Sequence, residues 1–210
     1  PDVLRRAGRE KQDALPLLIR LEDIQGTFHV HTDFSDGIDS LEKMVQAAKK
    51  LGFSYVGISD HSKTAYYAGG LKRDEILRQW EMIDKINDKN GSFQIFKGIE
   101  SDILPDGNLD YDDSILEGFD FVIASIHSGF TMKKVDMEKR ILKAMENPYT
   151  TMLGHPTGRL LLSRDGYQVD MMNIIDGAAR NHVILELNAS PYRLDIDWRY
   201  LKYAREKGVM

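Results

Sequence analysis

"GTFHVHTDFSDG", residues 26–37, decides how the rest of the chain is read. A strand-like run over 26–31 ends in His29 and His31, and an acidic turn, Asp36-Gly37, lies just beyond. Residues two apart on a strand point to the same side, so both imidazoles can face one ion. The same pattern also describes two surface histidines, and an aspartate before glycine is commonly a turn-former. The remainder of the chain decides between them. Runs rich in Val, Ile, Phe, Tyr or Leu recur at 55–59, 93–99, 121–126, 151–154 and 183–188. His61, Glu100, His127 and His155 close four of these runs, whereas His182 opens the last.

Between most of the runs lie helical patterns. "SLEKMVQAAKKLG" has Asp39 or Ser40 as N-cap, an apolar face of Leu41, Met44, Val45 and Ala48, and Gly52 as stop. "RDEILRQWEMIDKINDKNG" puts Ile76, Leu77, Trp80, Ile83 and Ile86 on one face and ends in Asn90-Gly91. "VDMEKRILKAM", "VDMMNIIDGAAR" and "DWRYLKYAREKG" complete the set. A strand about every 30 residues is the length of a βαβ unit, so the chain is expected to be α/β with a mostly parallel sheet, as a barrel or an open doubly wound sheet. In such folds the strand C-termini gather on one face, where loops form the site. Five histidines and a glutamate collected there point to a hydrolytic metal centre. His182, at the other strand end, reads as structural or as a charge at a helix C-terminus. Residues 1–24, with Pro16 in their middle, read as a lead-in segment, and 25–210 as one domain. "GVM" at 208–210 resembles the first residues of another strand.

Composition excludes several classes. Of 210 residues, 42% are hydrophobic and 29% charged, which is ordinary for a globular protein. The absence of cysteine rules out a disulfide framework and a thiolate zinc site, and fits a cytoplasmic location. No apolar run approaches the roughly 20 residues that span a bilayer, and the charged start does not resemble a signal peptide. A net charge of −5 argues against broad coating of nucleic acid, but leaves room for a local basic site.

Each candidate has a plainer alternative. Asp60, beside His61, either works at the site, orienting an imidazole or binding an ion, or caps a helix or loop. Glu100 either bridges two ions or lies where the strand has already surfaced at Gly98, with Ser101 and Asp102 as loop residues. Lys63, Lys133, Lys134, Arg159, Arg164 and Arg193 occupy strand-end loops, as phosphate ligands or as solvated surface. Tyr66 and Tyr67 either stack on a base or sugar or pack their own loop.

"FHVHTDFSDG", "GISDHS", "GIESDI", "SIHSG", "GHPTGR" and "LELNASPYRLD" together resemble the polymerase-and-histidinol-phosphatase (PHP) domain. They most resemble the form at the C-terminus of bacterial and archaeal family X DNA polymerases, and "LPLLIRLEDIQG" is similar to the segment joining polymerase core to PHP domain. The resemblance implies a distorted parallel β/α barrel of about seven strands, ending here before the last. It also implies two or three divalent ions, zinc, manganese or iron, at its C-terminal face. By motif, His29, His31 and Glu100 would hold one ion. Glu100 would bridge to a second on His127 and His155, and Asp36 with His61 would hold a third. The family's closing Asp-x-His pair has no counterpart up to Met210.

The implied activity is metal-dependent phosphoester hydrolysis, as a 3′→5′ exonuclease or 3′-end-processing enzyme acting on DNA ends, with a polymerase core upstream in the same chain. Glu100 and Asp60 would serve catalysis, while Arg159, Lys63, Arg193 and Asn188 would contact substrate. Two alternatives share the constellation: a histidinol-phosphate phosphatase and a non-catalytic, metal-stabilised scaffold module.

Overall fold

A computed structural model describes residues 19–89 and 91–210. Most of the expected lead-in segment, and Asn90 of the expected helix stop, lie outside the described residues. Six parallel strands form one sheet in sequential order: β1 (Gly26–Val30), β2 (Tyr55–Ile58), β3 (Gln94–Asp102), β4 (Phe121–Ser125), β5 (Met152–Leu153) and β6 (Ile184–Leu185). The helices are α1 (Leu41–Lys50), α2 (Arg73–Asn87), α3 (Asp113–Leu116), α4 (Lys134–Met145), α5 (Met171–Asn181) and α6 (Leu201–Glu206). The sheet curls into a half-barrel, with β1 and β6 as its open edges. At the C-terminus, Leu185 N–H donates to the Met210 carbonyl (3.0 Å), but 208–210 forms no strand.

Side-chain alternation divides the core. Val56, Ile58, Ile95, Ile99, Val122, Ala124, Leu153 and Leu185 point outward into two clusters shared with the helices. Phe28, Phe96, Phe121, Ile123, Met152 and Ile184 point inward and fill the concave side. Burying each such side chain contributes about 2 kcal/mol. Gly98 makes room for this layer: a Cβ there would lie 2.1 Å from the Phe121 ring. On β3 the inward series runs Phe96, Gly98, Glu100, Asp102, so an apolar floor gives way to carboxylates at the strand's C-terminal end.

The structure decides one open choice about helices and changes one expectation. Ser40, not Asp39, caps α1, accepting from Lys43 N–H. On α2, Leu77 is exposed and Gln79 is buried, because the Gln79 amide donates to the Asp60 carboxylate (2.6 Å) beneath the helix. Helix α3, in the long segment after β3, had no counterpart in the periodicity. No helix among the described residues is long and apolar enough to cross a membrane.

Candidate metal centre

Glu100, 1% exposed, is the hub of the C-terminal face. Its Oε1 lies 3.0 Å from His29 Nε2, 3.2 Å from His127 Nε2 and 2.8 Å from His155 Nε2. Its Oε2 lies 3.1 Å from His61 Nδ1 and 3.4 Å from His31 Nε2. Half-exposed Asp36 completes the group, 3.5 Å from His31 and 3.6 Å from His61. The structure thus brings together every residue the sequence proposed as a metal ligand. His29 and His31 converge by a different route from plain strand alternation. His29 adopts a left-handed backbone (φ 61°), the β1–β2 register shifts between Thr27 and Val30, and His31 lies past the strand end. His155 is left-handed too (φ 25°), a conformation uncommon outside glycine and concentrated at functional sites.

Two acids behind the cluster were missed in the sequence. Asp102 accepts from His127 Nδ1 (2.6 Å), and Glu186 accepts from His29 Nδ1 (2.5 Å) and from the His155 backbone N–H. Asp102 is the last residue of β3, not a loop residue. Both acids fix a ring so that Nε2 faces Glu100. Burial disfavours the imidazolium of His29. Yet the Glu100 charge and the hydrogen bonds to Glu100 and Glu186 outweigh it and raise its pKa to about 10. His127 is raised to about 9 against the same burial, by hydrogen bonds to Asp102 and Glu100. Burial lowers His31, His61 and His155. Although burial opposes it, Glu100 is held well below the usual carboxylate range by the His29 charge and by hydrogen bonds from His127, His155 and His29.

This donor set fits divalent ions. Tetrahedral ligands on bonds of about 2.1 Å stand about 3.4 Å apart, close to the separations around Glu100. Three groups, His29–Glu100–His155, His61–Glu100–His127 and His31–Asp36–His61, each offer ligand atoms within 4.8 Å of one another. His31 thus groups with Asp36 and His155 with His29, a different partition from the one the motifs implied. Nδ1 of His155 is buried without a hydrogen-bond partner, while Nδ1 of His61 and of His31 is buried with a carboxylate oxygen at 3.1 and 3.5 Å but without hydrogen-bond geometry. Nitrogen and oxygen donors without sulfur suit zinc, manganese or iron.

The proposed catalytic and substrate residues fare unevenly. Asp60 does not face the cavity. It is fully buried, and its carboxylate is occupied by Thr32 N–H and Oγ1, Ser35 Oγ and Gln79, which pins the turn after β1. Lys63 stacks over the Tyr111 ring (5.2 Å) in a separate depression. Arg159 also turns away, bonding the Arg193 and Leu194 carbonyls and Asp197 (3.4 Å). Arg193 and Asn188 do line the ligand cavity, of about 470 Å³, together with Arg164 and Tyr67. His182 lies at the far end of β6, exposed, as the left-handed C-cap of α5.

A curled parallel sheet carrying a histidine-carboxylate cluster at its strand C-termini defines a class, and the comparisons name it. The PHP domain model matches residues 27–190, so the chain belongs to the PHP domain family. It is 42% identical over its whole length to the DNA polymerase/3′-5′ exonuclease PolX of Bacillus subtilis (strain 168), of which it spans 37%. A probable phosphatase of Thermoanaerobacter sp. (strain X514) is 27% identical over 78% of the chain, which spans 64% of that protein. Among solved structures, histidinol phosphate phosphatase from Lactococcus lactis, complexed with zinc, L-histidinol and phosphate, shares the fold. Its TM-score is 0.51 at 17% identity, covering 77% of this chain and 72% of that one.

Proposed function

We propose that the chain is a metal-dependent phosphoesterase that trims DNA 3′ ends as part of a family X polymerase. The observation that carries this reading is the buried Glu100 carboxylate, met by five imidazoles inside a cavity that opens to solvent. The similarity to the Bacillus polymerase-exonuclease along the whole chain supports the DNA substrate and an upstream polymerase core. The relatives named as probable phosphatases favour a second reading, hydrolysis of a small monoester.

Three overlapping groups could each hold an ion: His29, Glu100 and His155; His61, Glu100 and His127; His31, Asp36 and His61. Zinc, manganese or iron bound there would supply Lewis acidity and a water of lowered pKa. The protein's own residues do the rest. Asp102 and Glu186 hold two rings in the ligating tautomer. Arg193, whose Nη1 is buried without a partner, offers that donor to a phosphoryl oxygen, and Asn188 lies beside it on the cavity wall.

The test is elemental analysis, without chelator, together with nucleotide release from a DNA 3′ end by the full gene product. His155→Ala should lower metal content and hydrolysis severely, while His182→Ala leaves both nearly unchanged. Equal losses in the two variants would overturn the site. Hydrolysis of histidinol phosphate but not DNA would favour the monoester reading, and full metal occupancy with neither activity a scaffold. For Asp102→Asn we expect metal affinity to fall about 10- to 100-fold, measured by competition with a chromogenic chelator. Unchanged affinity would remove Asp102 from the site's support.

A further inference from the structure

The cavity's mouth carries chemistry that ion binding does not use. Arg164, in the loop after β5, seats its guanidinium 4.0 Å from the centre of the Phe130 ring, in the loop after β4. Its Nη2 donates to the Gly158 carbonyl (2.8 Å), and Phe130 rests against buried Tyr167 (5.9 Å between ring centres). The platform is therefore fixed from below. Arg164 itself is exposed, lines the cavity, and has no carboxylate partner among the described residues. Tyr67, in the loop after β2, lines the same cavity and is 66% exposed. Ala65, Ala68 and Leu71 are the buried residues of its loop, and its ring lies 6.4 Å from the rings of both Tyr66 and His61. Leu71 N–H and the His61 carbonyl (2.8 Å) close that loop.

One exposed aromatic ring, Tyr67, and one guanidinium plane without a carboxylate partner thus line the cavity beside the ligand cluster. Aromatic faces and arginine planes bind nucleobases, and guanidinium groups bind phosphate. A small monoester has one phosphoryl group, which belongs at the ion positions and leaves this surface idle. A nucleic-acid strand brings a second phosphate and a base. We propose that Arg164 on Phe130, with Tyr67 on the same cavity, forms a subsite for the nucleotide preceding the one being released. This rests on the reading of the chain as a phosphoesterase and deepens it. The subsite selects a single-stranded nucleic-acid end of at least two nucleotides over a small phosphate monoester.

The experiment compares KM for a short oligothymidylate and for glycerol 3-phosphate, a monoester with no ring to stack, using the full gene product and Arg164→Met, Arg164→Lys and Tyr67→Leu. Loss of one stacked base costs about tenfold or more in affinity, so Arg164→Met and Tyr67→Leu should raise the oligonucleotide KM by that factor relative to the monoester KM. Arg164→Lys, which keeps charge without a plane, should fall between. A second arm measures anisotropy of a dye-labelled oligothymidylate with chelator present. There Arg164→Met should weaken binding similarly and flatten the log–log salt slope by about 0.7, the share of one phosphate contact on a single strand. Equal rises in both KM values would overturn the proposal, by showing that Arg164 grips the cleaved phosphoryl or only supports the fold. So would no change in either, which describes a solvated loop. If neither substrate is hydrolysed, the phosphoesterase reading fails instead, and the anisotropy arm still decides the subsite.

Discussion

Glu100→Gln is expected to lower metal content and to abolish most hydrolysis. The substitution preserves side-chain size and removes the one charge shared by His29–Glu100–His155 and His61–Glu100–His127. Two neighbouring dications would then repel each other with less compensation. The third group, His31, Asp36 and His61, has its own carboxylate in Asp36 and should be affected less. Loss of the Lewis-acid contribution, several kcal/mol, corresponds to a fall in kcat/KM of about 10³-fold or more. Elemental analysis per chain and nucleotide release from a DNA 3′ end give the two readouts. Full metal stoichiometry with activity within about tenfold of the parent would refute the bridging role.

The parts legible in the sequence were those that obey one local rule. His61, His127, His155 and Glu100 each end an apolar run of parallel sheet, and a parallel sheet puts all such ends on one face. The rule applied also to Asp102 and Glu186, yet neither was read. Hydrophobic periodicity stops at Ile99, whereas pairing with β4 continues to Asp102↔Ser125. The inner face there is polar, so apolar pattern cannot mark where the strand ends. Period-two alternation from Glu100 would have found Asp102, and Glu186 follows "VIL" as Glu100 follows "KGI".

Side-chain direction was not legible. Arg159 and Lys63 follow strand ends, as ligands do, but Arg159 is drawn aside by carbonyls some 35 residues later and Lys63 by Tyr111. Those partners are set by loop conformation, which no short motif encodes. Asp60 shows the same limit from the other side. Its neighbour His61 reaches Glu100, while Asp60 turns to the helix side, to four donors from the turn after β1 and from α2. Adjacent residues near a strand end point to opposite faces.

Metal affinity should climb with pH over an unusually high window. With no ion between them, Glu100 and the acids behind the rings keep His29 protonated up to about pH 10 and His127 up to about pH 9. Ligation through Nε2 requires that proton to leave, so each ion sharing Glu100 displaces one. Affinity for the ion on His127 should rise about tenfold per pH unit up to about 9, and for the ion on His29 up to about 10. His31, His61 and His155 are lowered by burial, are already neutral, and add no proton. Calorimetric titration at pH 7.5, in buffers of different ionisation enthalpy, should report about two protons released per two ions. Release of none would mean that the rings are neutral and the carboxylate contacts misassigned. Stability changes with a definite sign. A pKa raised on folding stabilises the metal-free protein below the unfolded value of about 6.5, and that contribution is lost as pH rises through 9 to 10. The ion-bound protein has already given up those protons, so the gap in Tm between metal-bound and metal-free protein should widen from pH 6.5 to 9. A gap that narrows over that range would place the two raised histidines outside the metal centre.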